Sequence, residues 1–172
     1  MSGGMSRHFQ AIVILPVAVL VLVPAVVVSA TGVDWGFSSA GSAAPAVGLG
    51  ILLLVPGAAL LFSTFGLYVR RSNGTLSRGV SPKRLVVRGP YRYVRNPVHS
   101  GVFLVLFAEG LLFGSEILLL IGVAFCIVHM WYIPFVEERD LYRRFGTEYD
   151  RYCENVPRWI PRATPWEAPP GA

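Results

Sequence analysis

One short stretch, residues 88–101, concentrates the side chains in this sequence that suit the binding of a charged ligand. In chain order it carries Tyr91, Arg92, Tyr93, Arg95, Asn96 and Pro97. Asn96 followed by Pro97 is typical of a helix start, because an asparagine side chain can cap free N–H groups and proline presets the first helical φ. The positive end of such a helix, beside two arginines, favours an anion such as a carboxylate or a phosphate. The stretch therefore predicts an anion site at the start of a helix.

Long apolar segments on both sides of this stretch indicate the class of fold. Hydrophobic residues make up 53% of the 172 residues and charged residues 15%, with a mean hydropathy of +0.55, which excludes an ordinary soluble domain. Four apolar segments follow one another, at 9–29, 43–69, 98–113 and 117–136. A membrane-crossing helix needs about 20 residues, so the first two are long enough and the third is marginal. The sequence predicts an all-α integral membrane protein with about four transmembrane helices, namely an N-terminal pair in 1–69 and a tight hairpin in 98–136.

The placement of the basic residues indicates the orientation in the membrane. Of 15 lysines and arginines, one precedes the first apolar segment, eight lie between residues 70 and 95, and six follow Glu137. Basic loops stay on the cytoplasmic side, so the loop 70–97 and both termini are expected in the cytoplasm. The excess of arginine over lysine is typical of GC-rich bacterial genomes, and we expect a bacterial inner membrane. Membrane lipids and a lipid-like substrate are the expected partners, with no nucleic acid; the oligomeric state stays open.

A cleaved signal peptide is the competing interpretation of the first apolar segment. Val28, Ser29 and Ala30 resemble a small-residue cleavage site after a basic start. The apolar run exceeds the usual length of about 7 to 15 residues, which favours a membrane span.

The residues after the last apolar segment form a second polar element, 137–162. Leu141, Phe145, Tyr149 and Tyr152 recur at helical spacing on an otherwise charged helix, which predicts an apolar stripe that lies on the membrane or on the loop 70–97. Two prolines flank Trp159, so residues 156–161 cannot continue a regular helix and suggest a strap with an aromatic anchor. Residues 163–172 are expected to be a disordered tail.

The two polar elements together resemble a known family. The run GPYRYVRNPVHSG, followed after one hydrophobic hairpin by EERDLYRRFGTEYDRYCENVPRWIPR, is similar to the C-terminal half of the isoprenylcysteine carboxyl methyltransferase and phospholipid methyltransferase superfamily of integral membrane enzymes. The resemblance covers roughly residues 85–162. The matching positions are Arg95, Asn96, Pro97, Gly101, Glu137 and Glu138. His99 stands where the family usually has a tyrosine.

The resemblance implies S-adenosylmethionine as the methyl donor, bound where the two polar elements meet. Glu137 and Glu138 suit its ribose or ammonium group, and Arg92, Arg95 and the helix start at Asn96 suit its carboxylate. Pro97 and Gly101 belong to the matched motif. The aromatic candidates for stacking the adenine or facing the sulfonium are Tyr91, Tyr93, Tyr149 and Trp159. The arginines of 70–84 are instead expected to bind lipid headgroups.

The identity of the methyl acceptor decides which residues act as catalysts. An isoprenylcysteine carboxylate is the acceptor that the resemblance favours, and it needs mainly positioning, for which Arg95 and Glu138 are candidates. An amine or thiol acceptor needs a base, for which His99, His129 or a glutamate is a candidate. The three histidines and two cysteines lack the spacing of a metal site or a disulfide framework.

Other interpretations of the same residues remain. One is a membrane reductase of related architecture with a nicotinamide donor, and another is a non-enzymatic adaptor whose basic loop binds anionic lipid.

Glu109 carries a carboxyl group inside the third apolar segment, which marks it as a functional candidate. Its position near the far turn of the hairpin favours solvation there.

Overall fold

The computed structural model describes residues 16–31, 40–72, 85 and 87–167. Within these ranges every regular element is helical and there is no strand. The α-helices are α1 (Val23–Thr31), α2 (Ala40–Ser72), α3 (Pro97–Leu112), α4 (Glu116–Tyr132), α5 (Glu138–Phe145) and α6 (Thr147–Asn155). A π-helical turn, Ala18–Leu22, precedes α1, and a 3-10 turn, Gly89–Arg92, precedes α3. The predicted all-α class is therefore confirmed.

Two of these helices have the length and composition of membrane spans. They are Ala44–Leu67 within α2 and the continuous helix Glu116–Phe145, which runs through α4 and α5. Only 17% of the most apolar part of each is buried inside the protein, and side chains such as Phe62 and Trp131 point outward, as expected for contact with lipid. Ala18–Thr31 and α3 are shorter apolar helices. The count of four spans stays a prediction, and the loop around Asp34 lies outside the described residues.

The contact between α2 and α3 is close because glycines face each other. A Cβ added at Gly101 would lie 2.8 Å from Leu61 Cγ and 3.0 Å from the carbonyl oxygen of Gly57. Small residues let helix backbones approach in this way. Leu61 then packs in the buried cluster with Val98, Val102, Val105 and Leu106. The structure thus gives Gly101 a packing role between helices.

The hairpin of α3 and α4 turns where the sequence predicts. Gly114 adopts φ +60°, which favours glycine, and the Ser115 side chain accepts a hydrogen bond from the Leu118 N–H at 3.4 Å at the start of α4. A Cβ at Gly110 would lie 2.6 Å from Leu119, so this glycine permits close packing across the hairpin. We call the opposite end of the hairpin, where α3 begins and α4 finishes, the open end.

The chain leaves the hairpin as a continuation of α4. A π-helical turn, Ile133–Glu137, links α4 to α5; it contains Pro134, which lacks the N–H of a regular helical bond. The helix ends at Gly146, whose φ of +50° breaks the polar element into α5 and α6.

The predicted apolar stripe is buried against the loop that precedes α3. Tyr149, Tyr152 and Val156 form its buried centre, with Leu141 and Phe145 packed against them. The surface that covers the stripe comes from Leu85, Val87 and Trp166. Of the two predicted partners, membrane or loop, the structure therefore favours the loop.

Candidate active site

Three charged side chains from three parts of the chain meet at the open end. The Arg158 Nε and Nη2 atoms donate to the two carboxylate oxygens of Glu138 at 2.8 and 2.7 Å, the two-pronged geometry in which arginine binds a carboxylate most strongly. Arg95 Nη1 lies 3.2 Å from Glu138 Oε1. The side chains of Arg95 and Glu138 are only 12% and 11% exposed, so each charge depends on the others. Two guanidinium groups around one carboxylate leave the cluster with one net positive charge.

The strap, residues 156–162, holds this cluster together. Its irregular backbone leaves polar groups that need partners, and residues near the start of α3 supply them. The Arg95 N–H donates to the Pro157 carbonyl at 2.9 Å, and the Ser100 hydroxyl donates to the Trp159 carbonyl at 3.0 Å. The Arg162 N–H donates to the Tyr93 carbonyl at 3.0 Å. The strap therefore fixes the position of Arg158 over Glu138.

Asn96 does not cap α3 as the sequence predicts. Its side chain makes no capping hydrogen bond and instead donates from Nδ2 to the Arg158 carbonyl at 3.4 Å. Competition from the strap explains the difference, because the carbonyl of Arg158 lies within reach of the Asn96 amide. Pro97 does occupy the first turn of α3 and is fully buried.

Arg95 retains a hydrogen-bond donor for a ligand. Its Nη1 atom also donates to Cys153 Sγ at 2.8 Å, whereas its Nε atom is buried and has no partner among the described residues. Buried donors are almost always paired in proteins. The unpaired Nε, on a cluster with a surplus positive charge, suits an anionic group.

The surroundings of Arg95 favour the neutral forms of the aromatic and thiol groups beside it. Burial raises the pKa of Tyr149, and the nearby charge of Glu138 adds to the effect. Burial also raises the pKa of the Cys153 thiol, although the Arg95 charge opposes it. The Tyr152 hydroxyl donates to the Tyr91 carbonyl at 2.7 Å. The structure thus places Tyr149 in the packed base of the site.

Arg92 lies apart from the cluster. Its Nε donates to the Trp166 carbonyl and its Nη2 to Glu167, both at 2.9 Å, while the Trp166 ring packs 5.8 Å from that of Tyr152. Of the two arginines predicted to share an anion, only Arg95 joins Glu138. These contacts hold Trp166 and Glu167 against the rest of the protein. The disordered tail expected at residues 163–172 stays a prediction, and residues 168–172 lie outside the described residues.

The two helical histidines meet one turn into the hairpin from the cluster. The ring centroids of His99 and His129 are 5.1 Å apart. The ring centroid of Phe125 lies 3.9 Å from that of His129, with the two rings tilted by 32°. The ring centroid of Phe103 lies 5.4 Å from that of Trp159 in the strap. These five rings form a group, which we call the aromatic chamber, between the hairpin and the strap.

Two acidic candidates stand outside these contacts. Glu137 ends the π-helical turn next to Glu138 and makes no ion pair with the described residues. Glu109 is ten residues from His99 on α3, about 15 Å along a helix, and lines a separate cavity of about 290 Å³ with α1. Glu109 therefore does not belong to the site at the open end.

Sequence reasoning missed Arg158 and Cys153 as parts of the site. Arg158 lies between the two strap prolines, Pro157 and Pro161, and this position is the signal that the sequence offers for it. Cys153 follows Tyr149 by one helical turn, and nothing in its spacing indicates a contact with Arg95.

The charged cluster lies at the open end of a hairpin in an all-helical protein of the membrane type, with two helices long and apolar enough to cross a bilayer. Sequence comparison identifies the family. The profile of the phospholipid methyltransferase family matches residues 45–148, more than half of the chain, and the protein belongs to that family. It is 28% identical over 100 residues to methanethiol S-methyltransferase 1 of Bradyrhizobium diazoefficiens, an alignment that covers 58% of this chain and 34% of that protein. The chain thus spans about a third of the length of the curated relative it matches. No solved structure matches the chain.

Proposed function

We propose that this protein transfers a methyl group from S-adenosylmethionine to a hydrophobic or lipid-like acceptor that enters from the bilayer. The observation that carries the proposal is the cluster of Arg95, Glu138 and Arg158, with its unpaired buried donor, directly beside the aromatic chamber. A polar ligand and an apolar one can therefore meet at the open end of the hairpin.

The residues present fit the cofactor that the family implies. A carboxylate matches the surplus positive charge of the cluster and the free Nε of Arg95. Glu137, which is not engaged in the cluster, supplies an acceptor for an ammonium or ribose hydroxyl. The aromatic faces of Trp159 and Phe103 suit a sulfonium cation. When bound, the cofactor supplies an electrophilic methyl group.

The protein's own contribution is to hold the two reactants in line and exclude water. The strap is tied to residues at the start of α3 by four hydrogen bonds, so it limits access from the aqueous side. Proper orientation alone can supply effective molarities of roughly 10⁵ M or more. The outward apolar faces of α2 and α4 leave the bilayer as the route for an apolar acceptor.

Three acceptor classes are compatible with family membership: isoprenylcysteine carboxylates, phospholipid amines and thiols. The motif resemblance favours the first. The name of the Bradyrhizobium relative specifies a thiol, which favours the third. A bacterial inner membrane with both termini in the cytoplasm is the location that we propose from the charge distribution.

Isothermal titration of the detergent-purified protein tests the proposal. We expect S-adenosylhomocysteine to bind and NADPH not to bind. Binding of NADPH alone would favour the reductase alternative. A folded protein that binds neither ligand, but binds anionic vesicles, would instead be the lipid adaptor.

A further inference from the structure

We propose that His129 is the general base of this enzyme and that its acceptor is a thiol. The inference rests on the proposed methyl transfer and specifies its substrate class. It follows from the hydrogen bond, the ring contacts and the charges around the two imidazoles of the aromatic chamber.

The hydrogen bond of His129 determines which ring nitrogen can accept a proton. Its Nδ1 atom lies 2.8 Å from the carbonyl oxygen of Phe125. A carbonyl oxygen only accepts hydrogen bonds, so Nδ1 carries the proton in this contact. In a neutral imidazole the other nitrogen, Nε2, then has a free lone pair. His129 is thereby held in the tautomer and ring orientation of a base.

The residues around His99 and His129 leave His129 available as a general base. The titratable rings that contact His129 are His99 on α3 and Tyr132 on its own helix, and Phe103 and Phe125 cover other sides. No carboxylate or guanidinium of the described residues hydrogen-bonds or ion-pairs with either imidazole. Two imidazolium cations with centroids 5.1 Å apart would repel each other among apolar rings. These surroundings therefore leave the Nε2 lone pair of His129 without a charged competitor among the described residues.

The need for a base separates the acceptor classes. A carboxylate acceptor is already ionised at neutral pH, so a general base would not make it more reactive. A phospholipid amine does need a base, but it brings a phosphate, and the chamber offers aromatic rings with no cation for it. A thiol on a small apolar body meets both conditions, because it must lose a proton and its sulfur packs well against aromatic rings.

The step conserves atoms and charge. The S–H bond of the acceptor breaks and its proton moves to His129 Nε2, which becomes an imidazolium. The thiolate lone pair forms the new S–CH₃ bond as the bond from that methyl to the sulfonium sulfur breaks, and the electrons of the broken bond remain on the departing sulfur. His129 returns to its neutral form when the imidazolium releases this proton to water as the products leave. The products are a methyl thioether, the demethylated donor and one proton.

Two thiols of different acidity test the base. Ethanethiol is protonated at neutral pH, whereas thiophenol is largely ionised. Loss of a general base costs typically about 10² to 10⁴-fold in rate, so we expect His129→Asn to lose about that factor with ethanethiol and far less with thiophenol. The wild-type rate with ethanethiol should also depend more steeply on pH than the rate with thiophenol. His129→Gln provides a second variant if His129→Asn unfolds.

Binding of S-adenosylhomocysteine separates this inference from the proposed function. Unchanged binding by the variants, with the differential loss above, supports the base. Equal losses with both thiols would overturn it and return His129 to a packing role. Faster wild-type methylation of a prenylcysteine carboxylate than of either thiol would overturn the thiol assignment. Absence of S-adenosylhomocysteine binding by the wild type would overturn the proposed function itself.

Discussion

Replacing Glu138 by glutamine should damage both the stability of the protein and its affinity for the cofactor. Glu138 is the single carboxylate between Arg95 and Arg158, and it accepts both prongs of the Arg158 guanidinium. Glutamine keeps the size of the side chain and removes the charge. The two guanidinium groups would then face each other with no carboxylate between them, and Arg95 would remain nearly buried.

The magnitude follows from the exposure of the three side chains. Breaking a buried ion pair by removing one partner costs about 3 to 5 kcal/mol. Arg158 is 34% exposed and can be solvated in part, so we expect a loss of about 3 kcal/mol, the lower end of that range. Arg95 would lose its alignment as well, and the loss of one charge-assisted hydrogen bond to the cofactor costs about 1.5 to 3 kcal/mol, roughly ten- to a hundredfold in affinity.

Thermal unfolding in detergent and titration with S-adenosylhomocysteine measure the two effects. The matched control is Asp140→Asn, which removes a carboxylate two residues away. Asp140 is 65% exposed and lies 3.8 Å from Arg144, a surface pair of small value. The double variant Glu138→Gln with Arg158→Met should recover part of the stability, because it removes one unpaired guanidinium. If Glu138→Gln behaved like Asp140→Asn in both assays, the cluster would be no more than a group of charges solvated at the membrane interface.

Three further predictions concern the cofactor, the pH and the topology. Arg95→Ala should weaken S-adenosylhomocysteine binding in neutral detergent about ten- to a hundredfold, whereas Lys83→Ala should not, because attraction to headgroups disappears with the anionic leaflet; similar losses in both would indicate a diffuse basic field. The raised pKa of Tyr149 means that the folded protein keeps a phenol proton that the unfolded chain loses above the ordinary tyrosine pKa of about 10. Stability should therefore fall as the pH rises beyond about 10. Tyr149→Phe should flatten that fall in a denaturation series, and an unchanged slope would contradict the assignment. Cysteines introduced at Asp34 and Ser77 should react with a membrane-impermeant reagent from opposite sides of oriented vesicles, and labelling from one side would refute the proposed topology.

Much of the fold can be predicted from the types of neighbouring residues in the sequence. Long apolar runs indicate membrane helices because the bilayer leaves backbone groups no partner outside a helix. Gly114 marks the hairpin turn because only glycine adopts its φ without strain. The motif around Arg95 and the pair at Glu137 and Glu138 indicated the family on the same basis. These features depend on residue type and spacing within a few turns of chain.

The composition of the site depends on contacts between residues far apart in the sequence. Arg158 is 20 residues from Glu138, and Asn96 donates to a carbonyl 62 residues away instead of capping its own helix. Arg92 and Arg95 look equivalent in the sequence, yet the C-terminal segment binds the first and Glu138 the second.

By itself, the sequence determined the helical membrane class, the hairpin and the family, because each follows from local preference or from the bilayer. The tertiary structure alone decided which charges share the cluster, which histidine nitrogen is free, and that the aromatic stripe packs against the loop. Those choices depend on competition between distant partners for the same buried hydrogen bonds, and spacing along the chain does not encode the outcome.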